Sequence, residues 1–159
     1  MANIKTAYGT STAITCTLAS LAAGASRESA AIDNQTDLFT DALVSVTVKL
    51  AAGTPSNEST IIVYVYGSGD GTNYTDNATG SDAAITLRSR PIMNGIGTIA
   101  TPDPGGLVYK GGPWSVAQAF GGVMPRKWGI VVRNMTNLAF DATEGNHAKS
   151  YTGIYQTSA

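Results

Sequence analysis

The chain has 159 residues, a net charge of −1 and only 13% charged side chains, about half the usual share in a soluble domain. This length suits one domain with one core, and the weak negative charge offers no attraction to the phosphates of a nucleic acid. The sequence has no run of 18 apolar residues, which a membrane helix would require. We therefore expect neither a nucleic acid nor a membrane as a partner.

Alternating apolar and polar residues predict the strands of the first half. Residues 12–18 alternate with period two, and 27–34 follow as a shorter strand. The clearest strand is 41–50, with valines on one face and polar residues on the other. Residues 60–67 are apolar on both faces, which is typical of a strand covered on both sides or of one at a subunit contact.

The second half continues this pattern after a long polar stretch at 67–82. Strand-like runs separated by Gly-rich turns occupy 92–100, 106–110, 114–120, 128–134 and 147–155, and 114–120 also suits one short helical turn. No window keeps a helical period. The sequence therefore predicts an all-β protein, an antiparallel β-sandwich that is jelly-roll-like.

The sequence predicts one domain, and two structures are possible for its first 20 residues. We expect a single β-sandwich domain over 21–159. Residues 1–20 are small, Thr-rich and nearly uncharged, so they form either an N-terminal arm that adds to a neighbour's sheet or an ordinary first strand. The N-terminal region has no signal-peptide pattern, and the single Cys16 excludes an internal disulfide, so we expect synthesis in a cytoplasm.

The polar stretch offers oxygen ligands of the kind that Ca²⁺ takes: Asp70, Asn73, Asp76, Asn77 and Asp82. Their order does not match a calcium-binding loop, and Asp-Gly between two strands is a common turn. We therefore expect a Gly-rich turn, with no metal and no cofactor.

Catalysis needs partners, and the sequence offers few. His147 is the only histidine and Cys16 the only thiol, so a nucleophilic pair would require them to meet across the sandwich. Cys16 lies in an alternating run, where a buried, inert thiol is the default. No serine-nucleophile motif is present, and we expect no enzymatic activity.

A basic and aromatic cluster near residue 128 is the most distinctive local feature. Trp128 shares a strand face with Ile130 and Val132, which predicts a core position for it. Arg126 and Lys127 precede this strand, so they flank it and do not line one groove. We interpret these two cations as a protein contact.

Four segments in order carry a resemblance to a known group: "SRESAAIDN", "DALVSVTVKL", "IIVYVYGSGDGTNY" and "GGPWSVAQAFGGVMPRKWGIVVRNMTNLAFDATEGNHAKSYTGIY". From about Ser26 to Tyr155 the chain resembles small structural proteins of tailed bacteriophages. It is most similar to virion proteins that decorate or cement the capsid. The resemblance implies a jelly roll or a related β-sandwich without enzymatic activity, commonly a homotrimer. It also implies a place on the outer surface of the virion after synthesis in the host cytoplasm.

This resemblance gives the predicted surfaces their partners. Arg126 and Lys127 become the expected contact with the major capsid protein. Because residues 60–67 are apolar on both faces, Ile61, Val63 and Val65 become the expected self-association surface.

A second hypothesis belongs to a different class, a carbohydrate-binding or host-adhesion module of a phage tail. Aromatic side chains suit such a site because sugars stack on them. The residues that would supply this platform are Tyr64, Tyr66, Tyr74, Tyr109 and Trp114.

Overall fold

The computed structural model describes residues 3–88, 93–102 and 106–158. In these ranges ten strands form two antiparallel sheets, and two 3₁₀ helices cover Ala117–Phe120 and Glu144–Asn146. The strands are β1 (Ile4–Ala13), β2 (Ser26–Glu28), β3 (Ile32–Asp33), β4 (Asp41–Lys49), β5 (Thr60–Ser68), β6 (Ala83–Ala84), β7 (Asn94–Ala100), β8 (Val108–Ser115), β9 (Lys127–Asn134) and β10 (Ala148–Ser158). The predicted antiparallel β-sandwich is confirmed.

The strand order is that of a jelly roll. One sheet has the order β1-β10-β4-β8 and the other β6-β2-β9-β5-β7, with β3 also paired to β9. The pairs β1–β10, β2–β9, β4–β8 and β5–β7 are nested, as in one long hairpin, and alternate pairs lie in opposite sheets. This arrangement of nested pairs in two sheets is the double Greek key of a jelly roll.

The core lies between the inner faces of the two sheets. Residues of β4 alternate between buried and half-buried along its whole length, as the period-two pattern predicts. Opposite them, Ile61, Val63 and Val65 of β5 have at most 1% exposure. The predicted self-association surface on these three residues therefore needs correction, because their side chains face the interior of one chain and are not available to a second copy.

The outer face of the six-stranded sheet carries a second, smaller core. Tyr66 and Val131 are fully buried there beneath the segment 69–88, which contributes Tyr74 and Ile85. The Tyr66 hydroxyl donates to the Ser29 carbonyl oxygen at 2.7 Å, and its ring meets that of Tyr74 edge-on at 5.5 Å. Residues 60–67 are thus apolar on both faces because this chain covers both of them.

The N-terminal segment belongs to the sandwich as its first strand. β1 pairs with β10 of the same chain, as an ordinary first strand does. Residues 14–18 keep the predicted alternation of burial but lie beyond β1, because their hydrogen bonds leave the ladder: the Ala30 amide donates to the Thr15 carbonyl oxygen at 2.8 Å.

Other boundaries differ in smaller ways. The predicted strand 27–34 is split into β2 and β3, and the run 106–120 forms β8 followed by one 3₁₀ turn. The described part of the chain leaves out residues 1–2, 89–92, 103–105 and 159. The predictions for 1–20, 92–100 and 21–159 each include some of these positions, which lie outside the described residues.

Candidate functional site

Exposed apolar side chains are concentrated at one end of the sandwich. Eight large apolar residues of the described chain are exposed, and five of them lie at this end. We call these five the ribbon end: Ile4, Tyr8, Leu38, Val123 and Tyr155. Ile4, Leu38 and Val123 are each more than 70% exposed, so these side chains lie on the surface and are not partly buried at the edge of the core.

Part of the ribbon end is a two-stranded ribbon that projects past the sheet. β4 begins at Asp41, opposite Ile154, so the last residues of β10 have only β1 beside them. Tyr8 pairs with Ile154 and Ile4 with Ser158 on this extension. A two-stranded ribbon is marginally stable on its own, and burial against a partner would stabilise it.

The rest of the ribbon end comes from two loops beside the ribbon. Leu38 and Val123 line one cleft of about 320 Å³, together with Phe39. The Phe39 ring lies 6.4 Å from the ring of Tyr155, which joins these loops to β10. Leu38, Val123 and Tyr155 therefore belong to one continuous surface. Tyr8 and Ile4 lie at the same end but on the opposite face of the ribbon, because Tyr8 pairs with Ile154 whereas Tyr155 pairs with Ala7.

Leu38 is held outward by its backbone. The Asn34 carboxamide accepts from the Phe39 amide at 2.9 Å and donates to the Phe39 carbonyl oxygen at 3.1 Å, which closes the loop. Leu38 has a φ of 51°, in the left-handed region that β-carbon-bearing residues rarely adopt. Such strain at an exposed apolar residue points to a functional constraint.

The predicted cations lie at different distances from this end. Arg126 is exposed and borders a cleft of about 330 Å³ with Leu38 and Met124. Lys127 is half-buried at the start of β9, opposite Asp33 and Ser68. Arg126 therefore lies beside the apolar surface, whereas Lys127 does not line that cleft.

The acidic residues of the polar stretch serve separate structural roles. Asp70 accepts hydrogen bonds from the amides of Asn73 and Thr72, both at 2.8 Å, and these bonds hold its pKa below the usual range. Asp76 pairs with Arg88 at 2.8 Å, and Asp82 with Arg27 at 2.6 Å. Within the described ranges no three acidic, His or Cys residues gather as a metal site would require.

Cys16 and His147 have separate environments. Cys16 is 3% exposed, and burial raises the pKa of its thiol to about 12, so it stays protonated. His147 is buried, with its ring against Phe140 and Nε2 3.0 Å from the Asp141 carbonyl oxygen. Neither side chain is placed as one half of a nucleophilic pair.

The predicted aromatic platform does not assemble as a group. Tyr66 and Tyr109 are buried, and Tyr64 and Tyr74 pack against the smaller core. Trp114 is half-buried like Tyr64 and Tyr74, but it differs from them because it lines an open cleft between β7 and β8.

The ribbon end was not predicted from the sequence. Comparison with protein-family models, with curated proteins and with solved structures found no match for this chain. Over the residues described, no helix has the length and apolar character to cross a membrane. Functional inference therefore depends on the geometry of the chain itself.

Two carboxylates fasten the segment that follows β1, and they make stability depend on pH. Burial opposes ionisation of Glu144, but Lys149 and the amides of Ala19 and Leu18, at 2.7 and 2.8 Å, outweigh it and lower its pKa. Burial likewise opposes ionisation of Asp82, and bonds from Arg27 and Thr17 lower its pKa below 3.8. A carboxyl group with a lowered folded pKa stabilises the fold above its unfolded pKa.

We expect the free energy of unfolding to fall as the pH drops below about 4.5, the ordinary pKa of a glutamate. Urea unfolding at several pH values between about 7 and 3 would measure this loss. Glu144→Gln should flatten the dependence on pH, whereas Glu58→Gln, at an exposed loop position, should leave it unchanged. Identical slopes for the parent and Glu144→Gln would contradict the assignment.

Proposed function

We propose that this chain is a non-enzymatic structural protein of a tailed-bacteriophage virion. It decorates the outside of the capsid by binding the major capsid protein, and its ribbon end makes the contact. The observation that carries the proposal concerns the residues that the structure describes: five of their eight exposed large apolar side chains lie at one end of the molecule. The sequence resemblance supplies the class of partner.

The chemistry of the ribbon end is that of a protein interface. Exposed apolar patches of this kind mark contact sites, and arginine and aromatic residues are enriched in them. Leu38, Val123 and Tyr155 supply apolar area, and Arg126 lies at the rim. In an oligomer a modest contact per copy is sufficient, because once one subunit is bound the others meet the capsid at a raised effective concentration.

The environments of Cys16 and His147 support a non-enzymatic role. The thiol is buried and protonated, and His147 is packed against Phe140. A protein that acts by contact needs neither group to be reactive.

Leu38→Asp should weaken attachment to phage heads at least tenfold, because it places a charge in the apolar part of the contact. Val108→Asp is the matched control: Val108 is 51% exposed and pairs with Lys49, at the opposite end of β4. Co-sedimentation with purified heads that lack the protein would measure both. Equal loss in both variants, or failure of the parent to bind heads, would overturn the proposal.

Arg126→Glu should also weaken attachment, and more than Lys127→Glu, because only Arg126 borders the cleft beside Leu38. Both variants should keep the melting temperature of the parent within a few degrees, since surface changes usually shift stability by less than about 0.5 kcal/mol. Equal attachment of Arg126→Glu and the parent would remove this residue from the contact.

We also propose that copies associate as a homo-oligomer, with a trimer as the expected form. The contact has to use exposed residues, because the inner face of β5 is occupied by the core. Analytical ultracentrifugation at tens of micromolar would test this, since a weak contact of standard size should form at about that concentration. A monomer under these conditions would contradict it.

A further inference from the structure

Another open cleft lies at the edge of the four-stranded sheet that is opposite β1. It has a volume of about 580 Å³ and lies between β7 and β8, the edge strands of the two sheets. This volume falls within the range of about 300 to 1,000 Å³ that small-ligand sites occupy. Its lining includes Trp114, Asn94, Gln118, Pro113 and Ile96.

Trp114 is fixed in this cleft by two glycines. A β-carbon at Gly97 would lie 2.0 Å from Cε2 of the indole, and one at Gly111 would lie 2.4 Å from Cη2. The indole therefore covers the bare backbone of β7 and β8, which no other residue type at these positions allows. Because Trp114 remains half-buried, the ring is a rigid and partly open surface.

The polar groups beside the ring are amides. Asn94 donates through Nδ2 to the Ala119 carbonyl oxygen, which fixes its carboxamide and leaves Oδ1 as an acceptor. Gln118 is exposed, and its backbone amide bonds to the Ser115 hydroxyl at 3.1 Å. Its carboxamide carries both a donor and an acceptor next to the cleft.

Charge narrows the class of ligand. Among the residues that the structure describes, none that lines the cleft has an ionisable side chain. Burying an ion without a partner costs free energy, so a charged ligand gains nothing in this cleft. A neutral molecule with one apolar face and several hydroxyl groups matches a fixed indole flanked by amides.

We propose that the Trp114 cleft binds a neutral carbohydrate. The apolar C–H face of a sugar ring packs on the indole, and its hydroxyl groups exchange hydrogen bonds with the carboxamides of Asn94 and Gln118. This activity is separate from capsid attachment, because none of these residues belongs to the ribbon end.

An array of neutral glucose-, galactose- and mannose-based oligosaccharides, with sialylated ones beside them, provides the probes. The strongest neutral probe is then titrated by tryptophan fluorescence. Trp128 is fully buried, so a spectral change on binding reports on Trp114. We expect binding of neutral probes at up to about 10 mM, a weak affinity suited to multivalent contact.

Variants assign the binding to the cleft. Gln118→Ala should weaken binding severalfold and Trp114→Ala at least tenfold, since aromatic anchors dominate such contacts. Gln35→Ala is the matched control, an exposed amide beside Arg126. If Trp114→Ala fails to fold, Gln118→Ala and Asn94→Ala decide the question. Absence of neutral binding, preference for sialylated probes, or unchanged affinity in these amide variants would overturn the proposal.

Discussion

Trp128→Ala should lower the free energy of unfolding by about 3 to 5 kcal/mol, the usual cost of removing a large buried side chain. Trp128 has no exposed surface, and its ring meets Tyr151 edge-on at 5.3 Å across the core. It also lies between Ile32 and Gly67 on the neighbouring strands. Alanine would leave a cavity in place of the ring. A loss of this size threatens the whole fold, because domains of this kind are stable by only about 5 to 15 kcal/mol.

Chemical denaturation measures this effect, and Trp128→Phe provides the control. The indole Nε1 has no hydrogen-bond partner among the residues described, so phenylalanine removes an unsatisfied donor and leaves a smaller void. Its cost should therefore be clearly smaller than that of alanine. If Trp128→Ala instead melts like the parent and loses a ligand, Trp128 belongs to a recognition site and not to the core.

Glu28→Ala should cost about 2 to 3 kcal/mol, because it removes a buried side chain that accepts hydrogen bonds from the segment 69–88. Glu28 is 1% exposed and accepts from the Thr79 hydroxyl at 2.8 Å and the Thr79 amide at 2.9 Å. These bonds tie the segment 69–88 to β2. The segment in turn covers Tyr66 and Val131, so its release would expose the smaller core.

Hydrogen exchange separates this local effect from global unfolding. In Glu28→Ala, amides of 74–85 should exchange faster than in the parent, while those of β4 keep the parent's rate. In Trp128→Ala, both regions should exchange faster than in the parent. Glu58→Ala, at an exposed loop position, should change neither. Unchanged protection of 74–85 in Glu28→Ala would show that other contacts hold the segment.

The strands that the sequence predicts best are those with one face in the core. β4 follows period two because one of its sides meets the opposite sheet, whereas β9 is buried on both faces between Trp128 and Val132. β1 gave a weaker signal because its residues are exposed or half-buried on both faces, so no apolar alternation marks them. Trp128 was placed correctly in the core because its neighbours on the strand face are β-branched.

The β5 strand shows why a surface was harder to predict than a strand. Apolar residues on both of its faces require a cover, but the pattern does not say which molecule supplies it. The cover is the segment 69–88, whose few apolar residues, including Tyr74 and Ile85, are dispersed among polar ones. We predicted self-association on Ile61, Val63 and Val65 because we assigned this cover to a second copy of the chain.

The ribbon end escaped prediction because its members are isolated in the sequence. Leu38 follows polar residues and Val123 follows two glycines. Each begins a pair of apolar residues in a loop, and so short a run has no period that would assign it to a surface. Only the topology brings their loops beside Tyr155. The same holds for Trp114, whose partners Gly97 and Gly111 are brought together by the meeting of two edge strands.

The nested pairing of strands also sets the order in which the protein can be made. β10 lies between β1 and β4, so the four-stranded sheet cannot close until the last strand has left the ribosome. Until then the edge of β4 that pairs with β10 has no partner strand. Pairing between the two ends of a chain is slow to form, and exposed strand edges favour aggregation meanwhile. Yield in a cell should therefore depend on chaperones and on growth temperature more than the stability of the finished sandwich suggests.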